Sequence, residues 1–186
     1  MSTFLEALNH PINAFHRKSR TTTWVLVVFT MVVNSFFELI LRYYQGSKPT
    51  IDFSHIAGIF IFGATSYLII CIILWFVCRC FGSTTSLFTY IQTWGITFFP
   101  TLLCSIVVSI TETYFYVFWN NTIWGLLLNF IFVGILIWKI VLYVTYLKEI
   151  GNLNKGRLLG AFLIIGICIL ILAVWNGYVG IKSPVI

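Results

Sequence analysis

The sequence predicts an all-α fold, a polytopic membrane helical bundle with five transmembrane helices, its N-terminus cytoplasmic and its C-terminus outside. Three observations predict it. Hydrophobic residues make up 60% of the 186 and charged residues 9%, with a mean hydropathy of +0.99, whereas a soluble domain is about 45–50% apolar and roughly 25% charged. Five apolar stretches are each close to the 20 residues that a helix needs to cross a hydrocarbon core about 30 Å thick. Most Lys and Arg residues fall on alternate connections. This composition excludes a cytosolic globular enzyme, a disordered tail and a nucleic-acid-binding domain. The net charge of +6, from 11 Lys and Arg against 5 Asp and Glu, is therefore read by position.

Residues 1–23 form a short basic cytoplasmic N-terminus. Thr3 and Glu6 have capping-box spacing, and Phe4, Leu5 and Leu8 share a helical face that Ile12 and Phe15 continue beyond Pro11. The run from His16 through Arg17, Lys18 and Ser19 to Arg20 suits an anionic leaflet. Two readings stand, an interfacial helix or a basic flank that sets topology, and the flank is preferred. Residues 24–178 hold the spans, at about 24–44, 55–78, 87–110, 122–147 and 158–175. The first is a retained span rather than a signal peptide, because it is long, carries Asn34 and Glu38, and no small-residue cleavage site follows. Residues 179–186 are a short outer tail.

The positive-inside rule orients these spans. With the N-terminus inside, Arg17, Lys18, Arg20, Arg79, Lys148, Lys155 and Arg157 are cytoplasmic, while Arg42, Lys48 and Lys182 are outside. Lys139 lies within span four.

Polar groups at depth are costly in lipid and mark candidate sites. Glu38 has Arg42 four residues on, so local pairing and a functional carboxylate both stand as readings. Proton carriage would need a second membrane acid, and Asp52 and Glu112 fall in loops. Lys139 either snorkels to the interface or marks the end of span four near Trp138; an inward Lys139 that binds an anionic headgroup or a partner carboxylate is the sharper alternative. Asn34, Gln92, Thr93, Thr97, Ser105 and Asn129 are interhelical hydrogen-bonding groups by default. Pro100 removes a donor inside span three, and Gly95 permits a close helix approach. Gly156 and Gly160 have the spacing of a helix-pairing motif.

Catalytic patterns are missing. His10, His16 and His55 are scattered and form no zinc-binding pair. Cys78 and Cys80 flank Arg79 with no second pair; acylation or simple apolar filling suits them better than a metal. Asn120-Asn121-Thr122 is an acceptor sequence for glycosylation on the outer side. No phosphate loop or nucleophile motif occurs, so the expectation is no enzyme, no cofactor and no metal.

The connection Arg79-Cys-Phe-Gly82-Ser-Thr-Thr-Ser-Leu-Phe88, with Tyr90, Gln92, Trp94-Gly95 and Phe98-Phe99-Pro100 after it, resembles the Yip family of five-span, Ypt/Rab-interacting membrane proteins. The likeness takes in His10-Pro11, Trp138-Lys139 and the link from Gly151 to Arg157, and so covers nearly the whole chain. The Asp-Leu-Tyr-Gly-Pro motif of eukaryotic members is absent and Ile96 replaces the usual Tyr, so the chain looks like a bacterial-type member, to which Rab binding does not carry over. The resemblance implies the five-span fold and a non-catalytic role in trafficking, export or membrane stress defence. The expected function is an accessory or scaffold subunit that contacts membrane lipids and other integral membrane proteins, exporter subunits among them. Gly82, Gly95 and Pro100 would shape it, and Arg79, Lys155 and Arg157 would meet the partner. The alternative is a small homo-oligomeric transporter or channel using Glu38, Asn34, Gln92 and Asn129. The expected location is a bacterial plasma membrane, with an ER or Golgi membrane as the alternative.

Overall fold

A computed structural model describes residues 11–16, 20–46 and 53–178. In order these form α1 Pro11–His16, α2 Arg20–Tyr44, α3 Phe53–Cys80, α4 Leu87–Thr93, a 3-10 turn Trp94–Thr97, α5 Phe98–Thr113, α6 Phe115–Trp119, α7 Thr122–Glu149 and α8 Lys155–Tyr178. No strand occurs among the described residues. Five helices are long and apolar enough to cross a membrane: α2, α3, α7, α8 and the composite of α4, the turn and α5. They overlie the five expected spans, with ends displaced by a few residues. The expected cap at Thr3 and Glu6, and Phe4, Leu5, Leu8, His10, Arg17, Lys18, Lys48, Asp52 and Lys182, lie outside the described residues, as do the side chains of His16, Glu38 and His55.

The third span is the axis of the bundle. Of its most apolar window 61% is buried, against 11% for α7 and for α8. Around it α2 packs on α5 and on the 3-10 turn, α7 packs on α5, and α3 packs on α4 and on α8. Apolar side chains gain little by leaving lipid for a protein interior, so the packing is partly inside-out. On α2, Thr23, Thr30 and Ser35 face inward while Val25, Val28 and Phe29 are exposed. Thr30 and Ser35 return their hydroxyls to the carbonyls of Leu26 and Met31 at 2.8 and 2.9 Å, which makes them inexpensive to bury.

The two ends differ in charge. At one end the α3–α4 and α7–α8 connections meet, and Thr85 Oγ1 donates to the Ile150 carbonyl at 2.7 Å. Arg79, Lys148, Lys155 and Arg157 are all exposed there. At the other end Gln45 Nε2 donates to the Thr113 carbonyl at 3.0 Å, and Asn121 caps α7 by accepting from the Ile123 amide at 3.0 Å. The chain before α2 contributes to the core: Phe15 is fully buried, edge-on to Tyr146 with ring centroids 5.4 Å apart. Ile12 is 45% exposed, so it does not share Phe15's buried face.

Gly82 ends α3. Its φ of +93° is a left-handed conformation that suits glycine. The Gly82 amide donates to the Arg79 carbonyl at 3.0 Å and the Ser83 amide to the Cys78 carbonyl at 2.9 Å, the pair of bonds that closes a helix through a left-handed residue. Gly82→Ala is expected to cost about 1 kcal/mol, read as a lower thermal midpoint in detergent; Gly82→Asn, which tolerates this conformation, recovers part of it.

Candidate functional site: a broken third helix and its basic end

The third span breaks because of two residues. Pro100, in the first turn of α5, has no amide to offer the carbonyl four residues back. The chain therefore tightens into the 3-10 turn Trp94–Thr97, where the Phe98 amide reaches the Gly95 carbonyl and Thr97 Oγ1 donates to the Trp94 carbonyl at 2.8 Å. A 3-10 segment inside a spanning helix exposes carbonyls that lipid would not satisfy.

Neighbouring helices supply donors at the end of α4. Tyr67 Oη, on α3, donates to the Ile91 carbonyl at 2.6 Å. Thr23 Oγ1, on α2, donates to the Gln92 carbonyl at 2.6 Å. Tyr146 Oη, on α7, lies 3.3 Å from the Tyr90 carbonyl and 3.0 Å from Thr93 Oγ1. Three successive carbonyls thus each meet a hydroxyl from a different spanning helix. The rings that carry two of these hydroxyls also pack. Tyr146 lies edge-on to Trp94 at 5.0 Å and to Tyr90 at 6.1 Å, and Tyr67 edge-on to Phe98 at 5.6 Å.

Gly95 makes the break close-packed. A Cβ there would lie 2.6 Å from Thr23 Cγ2, 2.7 Å from Val27 Cγ2 and 2.8 Å from the Thr23 carbonyl oxygen, so α2 rests directly on the backbone of the turn.

Below the break sits the basic end. Tyr90 Oη is 3.3 Å from Ser83 Oγ, which ties α4 to the turn at Gly82. Arg79 Nη1 donates to the Ser83 carbonyl at 3.4 Å, and Arg157 Nη1 would be 3.3 Å from a Cβ at Gly82. Two guanidinium groups therefore flank one turn, with the exposed Lys155 at the start of α8.

The other expected polar residues are not gathered. Asn34 Nδ2 reaches the Thr30 carbonyl at 3.1 Å and Ser105 Oγ at 3.3 Å, a tie between α2 and α5. Gln92 is buried in α4, whereas Asn129 is exposed on α7. Helix α7 runs unbroken through Lys139, whose Nζ lies 5.7 Å from the centroid of the Tyr143 ring. Cys78 is buried and Cys80 exposed, so the two thiols stand in different surroundings. Gly160 is approached by the Phe81 ring, at 2.9 Å from an added Cβ, while Gly156 has nothing within 4 Å; the two do not act as one helix-pairing motif. Sequence reasoning missed Thr23, Tyr67 and Tyr146. The signal was the Gly95–Pro100 spacing, which implies freed carbonyls that need donors from other spans.

Comparison with curated proteins and with solved structures returned no match. A family model, the Yip1 domain, matches residues 5–176, a stretch that includes the broken helix and the basic end. The chain is an integral multi-pass membrane protein and belongs to the Yip1-domain family.

Proposed function

We propose that the protein is a non-enzymatic accessory or scaffold subunit that engages another integral membrane protein through its basic end, in export, membrane stress defence or trafficking. One observation carries this reading. The hydroxyls of Thr23, Tyr67 and Tyr146 are committed to closing the broken helix, whereas the cationic groups Arg79, Lys155 and Arg157 are exposed at one end, where α3 and α8 meet short, internally braced connections. Braced charges suit recognition, because little side-chain and loop entropy is lost on binding. With the N-terminus inside, this end faces the cytoplasm; a bacterial plasma membrane is the proposed location. The transporter alternative is less well supported, since Asn129 is exposed on α7 and Asn34 is engaged with Ser105.

The test is affinity recovery of the tagged protein, crosslinked in native membranes, with the triple variant Arg79→Glu/Lys155→Glu/Arg157→Glu beside it. Reversal is expected to lower recovery of the partner roughly tenfold, with insertion and elution profile unchanged. Unchanged recovery from the correctly inserted variant would overturn the basic end as the contact.

A further inference from the structure

A lateral groove of about 440 Å³ opens between α7 and α8, and its walls are almost wholly apolar. Leu136, Ile140 and Leu147 line it from α7, and Phe162, Gly166 and Leu170 from α8. Three polar-bearing residues share it: Lys139, Trp94 and Tyr143. Trp94 is 1% exposed and Tyr143 8%, and neither Trp94 Nε1 nor Tyr143 Oη has a hydrogen-bond partner among the described residues. Their rings pack against each other at a tilt of 38°, centroids 4.9 Å apart. Buried donors without acceptors are costly.

A second groove of similar size, about 450 Å³ between α2 and α3, makes the contrast. Its one phenol, Tyr67, already donates to the Ile91 carbonyl, and no charged residue lines it. The α7–α8 groove alone of these two combines an apolar trough with a cation and unmatched donors.

We infer that the α7–α8 groove holds one acyl chain of an anionic phospholipid, with the lipid phosphate drawn to Lys139. Charge sets the head: the Lys139 ammonium, which sits in the groove 5.7 Å from the centroid of the Tyr143 ring, favours a group that is negative and rich in acceptors. Length sets the tail. Along α7 the groove runs from Leu136 to Leu147, about 17 Å at 1.5 Å per residue, roughly half of a hydrocarbon core. That accommodates a chain from one leaflet and is too short for a spanning helix of a partner. Depth agrees as well. A hydrocarbon span of about 20 residues counted from Trp124 ends near residue 144, and Lys139 is then about 8 Å inside its edge, within reach of a phosphate at the basic-end interface. The inference is independent of the basic-end reading, because Arg79, Lys155 and Arg157 do not line the groove.

The experiment is native mass spectrometry of the full chain released from vesicles of equimolar phosphatidylglycerol and phosphatidylcholine. Wild type is expected to retain one phosphatidylglycerol in preference to phosphatidylcholine. Lys139→Gln should lower that preference about fivefold, and Lys139→Arg should keep it. Gly166→Phe should remove the bound lipid with helicity and elution unchanged, because a Cβ at Gly166 meets nothing within 4 Å and the ring fills the trough. The triple reversal at the basic end should leave the lipid in place, so loss of partner and loss of lipid are separable. Equal retention of both lipids, unchanged preference in Lys139→Gln, or loss in the triple reversal instead would overturn the inference, as would a second copy of the chain in place of lipid. Should Gly166→Phe fail to elute as a single species, Lys139→Gln against Lys139→Arg decides alone.

Discussion

Gly95→Val is expected to destabilise the bundle by about 3 kcal/mol, the upper range for overpacking a filled core. A Cβ at Gly95 already falls inside van der Waals contact with Thr23 and Val27, and one of the atoms it meets is the Thr23 backbone oxygen, which has no rotamer to retreat into. The helix itself must move. Displacing α2 also lengthens the bond from Thr23 Oγ1 to the Gln92 carbonyl, now 2.6 Å, and exposes that carbonyl. Gly95→Ala should cost less, and Gly134→Ala, where nothing lies within 4 Å, should cost nearly nothing. Thermal midpoints of the purified variants in one detergent give the ranking. Equal midpoints for the Ala variants at 95 and 134 would contradict the close approach of α2.

Tyr146→Ala is expected to be as damaging, at about 3–5 kcal/mol, the range for truncating a large buried aromatic. The ring is fully buried and makes edge contacts with Phe15, Tyr90 and Trp94. Its hydroxyl serves the Tyr90 carbonyl and Thr93. Tyr146→Phe separates the two roles. It removes the hydroxyl and keeps the ring, and should cost about 1 kcal/mol. Phe15 adds a second readout: with the ring of Tyr146 gone, α1 loses its seat, so limited proteolysis should cut before α2 faster in Tyr146→Ala than in Tyr146→Phe. The same proteolysis rate in both variants would mean that Phe15 holds α1 without Tyr146.

The five spans were legible because lipid enforces length and apolarity on every crossing helix, whatever its neighbours. The break in the third span was half legible: Gly95 and Pro100 mark an irregularity, and their spacing implies a tight turn. What closes the break was not legible. A tyrosine in a span looks the same whether its hydroxyl reaches an interface or a carbonyl on the next helix, and only packing separates Tyr67 and Tyr146 from the exposed Tyr43 and Tyr44. Asn129 shows the opposite limit. Grouping it with Asn34 and Gln92 rested on chemistry alone, and the three sit on different helices with different exposure. Phe15 was expected on a membrane-surface face or a plain flank, yet it plugs the core, because a six-residue helix has too few positions for its pattern to name a partner.

The most direct test places a photocrosslinking residue at Thr84 or Asn154, both exposed at the basic end, and for comparison at Tyr44, the last residue of α2, or Tyr116 in α6, both exposed at the opposite end. Crosslinking is done in native membranes, and the products are purified and identified. Thr84 and Asn154 are expected to capture the same integral membrane protein, Tyr44 and Tyr116 are not, and the triple reversal is expected to abolish the capture. Capture of that protein from Tyr44 or Tyr116 instead, or recovery of the chain alone from both ends, would contradict a scaffold that works through its basic end.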